Sequence, residues 1–223
     1  MERVSGQNTR IYDGSRIIGG ILLASFLSSC VGLGSDITIK KDGSGIAKLE
    51  YRISRELESL GKFDGNEGRP PIPTGKTDFE RTAARIEGLK VASFSTKTVG
   101  SDVISNVTLE FSHTAALLRF LDATGQGASL TEENGKRRLS LTLSGGKPSD
   151  PELAALLKAS FAGYTADMSF KLPNDAELFF SGADGRLPVP PVGQASVQGG
   201  KVAFSAEMGD LLTAGPLTME IVW

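Results

Sequence analysis

The chain has 223 residues, with 24 basic and 26 acidic side chains and a formal net charge of −2. Nucleic-acid-binding proteins present clustered basic charge, so this balance disfavours them and we expect no nucleic-acid partner. The single cysteine excludes a disulfide framework. The single histidine excludes a metal site built from several histidines.

The N-terminus has the three zones of a secretory signal peptide. Arg3, Arg10 and Arg16 lie in a polar leader, and an uncharged, mostly apolar stretch follows over residues 17–27. That stretch is shorter than the roughly 20 apolar residues that a transmembrane helix needs. We therefore predict that residues 1–29 are a signal peptide.

The apolar stretch ends in Leu27, Ser28, Ser29 and Cys30, which together resemble the lipobox of bacterial lipoproteins. In a lipobox the cysteine thiol is alkylated by a diacylglyceryl group, and a signal peptidase that recognises the small residues cuts before the cysteine. The attached acyl chains hold the protein at a membrane, because each buried methylene contributes about 0.8 kcal/mol. The alternative is an ordinary buried cysteine that behaves as a small apolar side chain.

We expect lipid attachment at Cys30 and export to the cell membrane or the outer membrane. The membrane is then a partner through the N-terminal acyl chains. Removal of residues 1–29 leaves 194 residues, which suits one domain with a sizeable core. Residues 30–35 are predicted to be a short lipidated tether, and residues 36–223 a single domain.

Alternating apolar residues and turn signals predict the first elements of this domain. A β-hairpin is predicted over residues 36–53, with its turn at 42–45. A short helix is predicted over 55–60, and a loop rich in Gly and Pro over 62–76.

Thr77 and Glu80 have the spacing of a capping box, which predicts a helix that stops at Gly88. Two strands are then predicted over 89–98 and 102–111, the second with strict alternation.

A second helix is predicted over 114–122, before strands over 128–132 and 138–143. The turn pair Asn134-Gly135 lies between those strands and favours a hairpin.

Asp150 is predicted to cap a third helix, with Pro151 at its first position. The predicted buried face of that helix consists of Leu153, Leu156, Leu157 and Phe161.

The last third alternates most clearly. The predicted strands are 164–172, its return strand 176–180, then 202–208 and 217–223, with a turn or short helix at 209–214. The order of elements predicts an α+β fold: an antiparallel, curved sheet of hairpins with about three helices packed on one face.

Four segments carry a resemblance to the mycobacterial LppM family of lipoproteins. They are the turn at 42–45, the strand YTADMSFKLP at 164–173, SGADG at 181–185 and GGKVAF at 199–204. The chain departs from the family pattern at Asn174, where a glycine is common, and at Phe204, where a tryptophan is common. It also ends at Trp223, whereas many members continue into a membrane helix.

The resemblance implies an α/β domain similar to lipid-binding modules, with a role in handling envelope lipids or glycolipids. It implies no catalytic residues.

An enzyme needs positioned acid, base or nucleophilic groups. His113 precedes a predicted helix, where histidine is commonly a capping or surface residue, and no Gly-x-Ser-x-Gly sequence offers it a nucleophile. Glu132-Glu133 and the basic run 136–138 lie at hairpin ends and are expected to be solvated. We therefore expect no catalytic residue, no metal site, no cofactor and no enzymatic activity.

The leading hypothesis is a membrane-anchored, non-catalytic binding module for a lipid, a glycolipid or another amphipathic envelope ligand. A curved sheet covered by helices can enclose an apolar pocket of roughly a few hundred Å³. Met208, Met219 and Trp223 end apolar strands that could line it, with plain core as the alternative. The second hypothesis is a structural lipoprotein that docks an envelope protein through the proline-rich loops 69–73 and 187–191. The pattern identifies no ligand-binding residue.

Overall fold

Strands outnumber helices in the computed structural model, which describes residues 31–55, 75–123, 127–146, 148, 150–183 and 185–223. The strands are β1 (Val31–Ile39), β2 (Gly45–Ser54), β3 (Leu89–Val99), β4 (Asp102–Phe111), β5 (Ala128–Glu133), β6 (Lys136–Ser144), β7 (Thr165–Lys171), β8 (Glu177–Gly182), β9 (Gly185–Leu187), β10 (Gln194–Gln198), β11 (Lys201–Glu207) and β12 (Leu217–Val222). The helices are α1 (Lys76–Ala84), α2 (Thr114–Ala123), α3 (Pro151–Ser160) and α4 (Met208–Thr213). The mixed α+β composition is therefore as predicted.

Seven strands form the larger sheet, in the order β10-β11-β7-β1-β2-β4-β3. Strands β1 to β4 pair antiparallel with their neighbours. β1 pairs with β7 in parallel, however, with Leu33 opposite Ala166. The prediction of an antiparallel sheet fails at this junction, because hairpin signals do not say which distant strand lies beside β1.

The smaller sheet has five strands, in the order β5-β6-β12-β8-β9. The sequence predicts that β8 returns beside β7, yet β8 pairs with β12 in the smaller sheet and β7 with β1 in the larger one. The segment around Pro173 thus carries the chain between the sheets. The strands that were predicted to form one sheet therefore form two. Alternation of apolar and polar residues distinguishes the two faces of a strand, but it does not show which sheet the strand joins.

β1 begins at Val31, one residue after the predicted lipid cysteine. It pairs with β2 along its whole length, starting with Val31 opposite Ile53. Residues 31–35, which the sequence predicts to be a tether, therefore lie in the sheet. Gly32 and Gly34 suggested a flexible segment, but both are paired within the sheet, Gly32 opposite Arg52 and Gly34 opposite Glu50.

The core lies between the inner face of the larger sheet and a layer made of the smaller sheet, α1 and α2. Phe79 of α1 is fully buried, and its ring centroid lies 5.6 Å from that of Tyr51 and 5.8 Å from that of Phe94. Phe180 of the smaller sheet lies 5.8 Å from Phe204 of the larger one. The smaller sheet therefore packs on the same inner face of the larger sheet as α1 and α2.

α3 and α4 pack against each other. A Cβ atom at Gly209 would lie 3.0 Å from the Cα atom of Lys158, so the two helices approach very closely there. Lys158 Nζ also lies 2.9 Å from Asp210 Oδ1. The predicted arrangement of three helices on one face therefore holds for two of them.

α3 begins as predicted. Asp150 Oδ1 accepts a hydrogen bond from the backbone N–H of Glu152 at 2.9 Å, and Pro151 is the first helical residue. Leu157 is buried, but Leu156 is 62% exposed, so its assignment to the buried face is wrong. The side chains of consecutive helical residues point about 100° apart. Leu157 points toward the protein, so Leu156 points away from it.

α1 begins earlier than its capping signal predicts. Gly75 is the N-cap in an extended conformation, and its backbone N–H donates to Asp78 Oδ2 at 3.4 Å. The predicted pair of Thr77 and Glu80 is therefore wrong by two positions, because Thr77 already lies inside the first turn.

Two predicted turns are confirmed. Asn134 and Gly135 have φ angles of 53° and 75°, the left-handed values of a type I′ hairpin turn. In the β1–β2 turn, Asp42 Oδ1 accepts hydrogen bonds from the Ser44 backbone N–H at 3.0 Å and from its hydroxyl at 2.8 Å. Gly43 between them has a φ of 83°.

Other predictions fall outside the described residues. They concern the signal peptide 1–29, the lipobox with Leu27, Ser28, Ser29 and Cys30, the first helix from residue 56 onward, and the loop up to residue 74.

Candidate functional site

A groove of about 570 Å³ crosses the outer face of the larger sheet, the face that points away from the core. It extends over six strands, from β10 through β11, β7, β1 and β2 to β4. Among the described elements, α1, α2 and the smaller sheet pack on the opposite, inner face.

Strand register aligns the lining side chains in two rows across the sheet. The first row is Asn106, Glu50, Gly34, Asp167, Ser205 and Gln194. The second row is Lys48, Asp36, Ser169, Ala203 and Ser196. Directly paired side chains lie about 5 Å apart, so each row offers hydrogen-bonding groups at a regular spacing.

Short side chains make the floor of the groove. Its lining includes Gly34, Ser169, Ala203 and Ser205 on three neighbouring strands, β1, β7 and β11. A Cβ atom at Gly34 would lie only 3.3 Å from the Cβ atom of Glu50. The missing side chain at Gly34 thus contributes directly to the depth of the groove.

The groove carries more negative than positive charge. Its lining contains three carboxylates, those of Asp36, Glu50 and Asp167, and one cation, Lys48. Asp167 is held in place, because its carboxylate accepts hydrogen bonds from Thr165 Oγ1 at 2.6 Å and from Ser205 Oγ at 2.5 Å.

A partly buried ion pair lies beside the groove, nearer the start of β1. Asp102 is 2% exposed; its carboxylate lies 2.5 Å from Arg52 Nε and accepts from the Tyr164 hydroxyl at 3.0 Å. The Arg52 guanidinium lies 5.3 Å from the centre of the Tyr164 ring. Gly32 lies beneath both, since a Cβ atom there would be 3.5 Å from Arg52 Cβ and 3.6 Å from Tyr164 Cδ1.

This geometry lowers the pKa of Asp102 below that of an ordinary aspartate. Burial acts to raise the pKa of its carboxyl, but the hydrogen bonds from Arg52, Tyr164 and Ser101 and the charge of Arg52 lower it by more. The carboxylate therefore stays ionised and fixes β2, β4 and the entry to β7 to one another.

Among the described residues, one interior cavity is too small for a lipid-sized ligand. The cavity between β1 and α2 has a volume of about 20 Å³ and is lined by apolar side chains such as Leu33, Tyr51, Phe120 and Met168. A single water needs about 10–15 Å³ by the same kind of measure. This cavity is far smaller than the expected apolar pocket of a few hundred Å³.

The strand residues nominated for that pocket belong to the core. Met219 and Trp223 are buried, and Met208 packs against the same cluster half-buried. Their apolar character therefore reflects packing.

His113 has the capping role that its position predicts. It is exposed, and its Nδ1 accepts a hydrogen bond from the backbone N–H of Ala116 in the first turn of α2, at 3.2 Å. The imidazole satisfies one of the free donors at a helix start.

The basic run 136–138 is neutralised by carboxylates. The pairs are Lys136–Glu177 at 3.2 Å, Arg137–Glu132 at 3.2 Å and Arg138–Glu220 at 2.6 Å. The neighbouring acids Glu132 and Glu133 are exposed, as predicted. The run thus presents little unpaired positive charge.

Glu220 is the centre of a second cluster, on the smaller sheet. It accepts from Ser181 Oγ at 2.8 Å and pairs with Arg138, while Arg186 lies 3.8 Å away and covers the Phe179 ring. Burial raises the pKa of Glu220, but the hydrogen bonds from Ser181 and Arg138 lower it by more, so it stays below the ordinary value. These charges therefore compensate one another.

Within the described part of the chain, no three potential metal ligands cluster. None of the helices there has the length and hydropathy of a membrane span.

Sequence reasoning missed both the groove and the ion pair. A usable signal for the groove was the small size of the outward positions Gly34, Ser169, Ala203 and Ser205 on otherwise regular strands. The ion pair has no local signal, because Arg52 and Asp102 are 50 positions apart.

The comparisons with known proteins include a structural likeness at low sequence identity. No protein-family profile matches the chain, and no curated protein does. Among solved structures, the NMR structure of the folded domain of the Mycobacterium tuberculosis LppM protein is similar at 13% identity and a TM-score of 0.43. The likeness covers 85% of this chain and 88% of that one. Membership of the LppM family stays a prediction.

Proposed function

We propose that the chain is a lipid-anchored, non-catalytic binding module of the bacterial envelope, which holds the polar part of an amphipathic ligand in the outer groove. The observation that carries this proposal is the contrast in space: about 570 Å³ on the polar outer face against about 20 Å³ in the apolar interior.

The anchor is Cys30, with Leu27, Ser28 and Ser29 as the signal-peptidase recognition sequence. β1 begins at Val31, so an acylated Cys30 would join the folded sheet without a spacer. The location that follows is the exported face of the cell membrane or the outer membrane.

The groove chemistry favours a head group rich in hydroxyls, such as that of a glycolipid. Its two rows combine amides, hydroxyls and carboxylates, which donate to or accept from hydroxyl groups. The excess of carboxylates disfavours a phosphorylated head. The acyl chains of such a ligand would stay outside the domain, since the interior cavity found among the described residues has a volume of only about 20 Å³.

The contacts of three titratable side chains support a non-catalytic role. His113 caps α2, and Asp102 and Glu220 are held in ion pairs. None of these groups points at the groove floor with a partner that would activate it.

The test uses the full chain expressed in a bacterium that processes lipoproteins. The protein is purified in detergent and extracted with solvent, and the co-purifying lipids are identified by mass spectrometry. Ala203→Trp fills the groove from an exposed outer-face position, and Lys201→Trp on the same strand, outside the groove, is its matched control.

We expect an amphiphile with a hydroxyl-rich head from the unaltered protein and from Lys201→Trp, and its loss from Ala203→Trp. Equal recovery from all three proteins, or no amphiphile from any of them, would refute binding in the groove. The anchor is tested separately: the intact mass should correspond to a chain that begins at Cys30 with acyl chains, and Cys30→Ala should lack them.

A protein-docking lipoprotein is the second candidate. Its supporting observation is the loop at 187–191, where Val189 is 67% exposed, followed by the edge strand β10, whose residues are all exposed. An exposed edge strand can pair with an extended segment of a partner. Crosslinking from Val189→Cys in the native envelope should capture one defined protein if this role is real, and no defined protein if it is not.

A further inference from the structure

The larger sheet has one end at which the chain enters from Cys30. We call it the Val31 end. It contains the start of β1, the end of β2, the β3–β4 turn, the start of β7 and the end of β11, as the pairs Val31–Ile53, Val99–Asp102 and Thr165–Glu207 show. The opposite end contains the β1–β2 and β10–β11 turns.

A strip of apolar side chains is exposed on α3 at the Val31 end. α3 packs on α4, which directly follows β11, and the chain passes from α3 into β7, so both helices lie at this end. Leu156 is 62% exposed, and its helical neighbours Ala155 and Ala159 are exposed beside it. The close contact between Gly209 and Lys158 fixes the other side of α3 against α4.

A second exposed apolar residue lies at the same end, on the other side of β1. Val99 in the β3–β4 turn is 53% exposed. β3 is three strands away from β1, a distance of about 14 Å at the usual strand spacing. Leu156 and Val99 thus flank the point where the chain enters the sheet.

Cationic side chains lie near Val99. Arg55 and Lys97 are exposed, and the Arg52 side chain is 49% exposed beside its buried partner Asp102. Exposed apolar side chains next to lysine and arginine suit the boundary between acyl chains and anionic head groups.

The geometry points to the Val31 end as a lipid-facing surface: Leu156 and Val99 insert at the head-group boundary and Arg55 and Lys97 contact anionic lipid heads. This inference rests on the proposed acylation of Cys30. Val31 is the first residue of β1, and consecutive Cα atoms are about 3.8 Å apart, so acyl chains on Cys30 would be attached next to this end and would hold it at the bilayer. The domain is then held in one orientation, not tethered loosely.

The test uses single introduced cysteines. Acylation consumes the thiol of Cys30, the only cysteine in the chain, so an added cysteine is the one free thiol of the anchored protein. Leu156→Cys and Val99→Cys are labelled with an environment-sensitive fluorophore, and Val197→Cys, 41% exposed on β10 toward the opposite end, is the control. Each processed protein is reconstituted into vesicles of phosphatidylcholine and phosphatidylglycerol that contain a lipid-borne quencher.

We expect quenching several-fold stronger at positions 156 and 99 than at position 197. Equal quenching at all three positions, or stronger quenching at 197, would overturn the orientation while leaving the anchor intact. Intact mass and co-sedimentation of the same samples separate the two ideas, because a protein without acyl chains that stays in the supernatant would remove the anchor and the lipid-facing end together.

Discussion

Replacing Asp102 with asparagine tests whether the buried ion pair holds the Val31 end together. The substitution keeps the size of the side chain but removes its charge, so Arg52 and Tyr164 lose a charged acceptor at 2.5 and 3.0 Å. Hydrogen bonds to a charged group contribute about 1.5–3 kcal/mol, but solvent reaches the half-exposed Arg52 and weakens its share. We expect a loss of about 2 kcal/mol in the free energy of unfolding at pH 7, or about 4–8 °C in Tm for a domain of this size.

The same pair makes a prediction about pH. Because the folded pKa of Asp102 is lowered, its stabilisation is present above the ordinary aspartate pKa of about 4 and is lost as the pH falls through the folded value. Asparagine does not titrate. The difference between the unaltered protein and Asp102→Asn should therefore be large at pH 7 and shrink steadily below about pH 4.

Urea unfolding followed by circular dichroism, at pH values from 7 to 3, measures this difference. Asp36→Asn is the control, because Asp36 is an exposed carboxylate on the same face of the sheet and should change stability by less than about 0.5 kcal/mol. A loss in Asp102→Asn that is the same at every pH, or no loss at pH 7, would show that the charge of Asp102 does not stabilise the fold.

Three further substitutions test the packing, each by thermal unfolding. Gly45→Ala should prevent stable folding or cost more than about 4 kcal/mol, since its Cβ would lie 2.0 Å from Thr38 O and 2.4 Å from Phe111 Cζ; a normal Tm would contradict the β1–β2 register. Phe79→Ala should cost about 3–5 kcal/mol, because the ring is fully buried, and a change below about 1 kcal/mol would disprove that burial. Asp150→Ala should cost about 1 kcal/mol through the loss of the α3 cap, whereas an unchanged Tm would mean that solvent replaces the cap.

Features that depend on neighbours in sequence could be predicted. The type I′ turn needs only Asn134-Gly135, and the start of α3 needs only Asp150 and Pro151. His113 caps α2 through a residue three positions away. In each case the residues that determine the geometry are close together in the chain, so the local sequence is sufficient to predict the turn or the cap.

Features that depend on strand neighbours could not be predicted. Gly34, Ser169 and Ala203 form one floor only because β1, β7 and β11 are adjacent, and nothing in the three segments states that order. The choice between core and surface for Leu156 depends on how α4 sits against α3. Tertiary packing decided these points, and local alternation is equally compatible with other arrangements.

The parallel pairing of β1 with β7 bears on the order of folding. Leu33 and Ala166 are partners although 133 positions separate them, so one edge of β1 stays open until the last third of the chain has emerged. Closing so long a loop is slow compared with the antiparallel pairing among β1 to β4, which are closer together in the sequence. For the export and processing at Cys30 proposed above, the consequence is that one edge of β1, the strand next to Cys30, would still be unpaired and open to a processing enzyme before the sheet is complete.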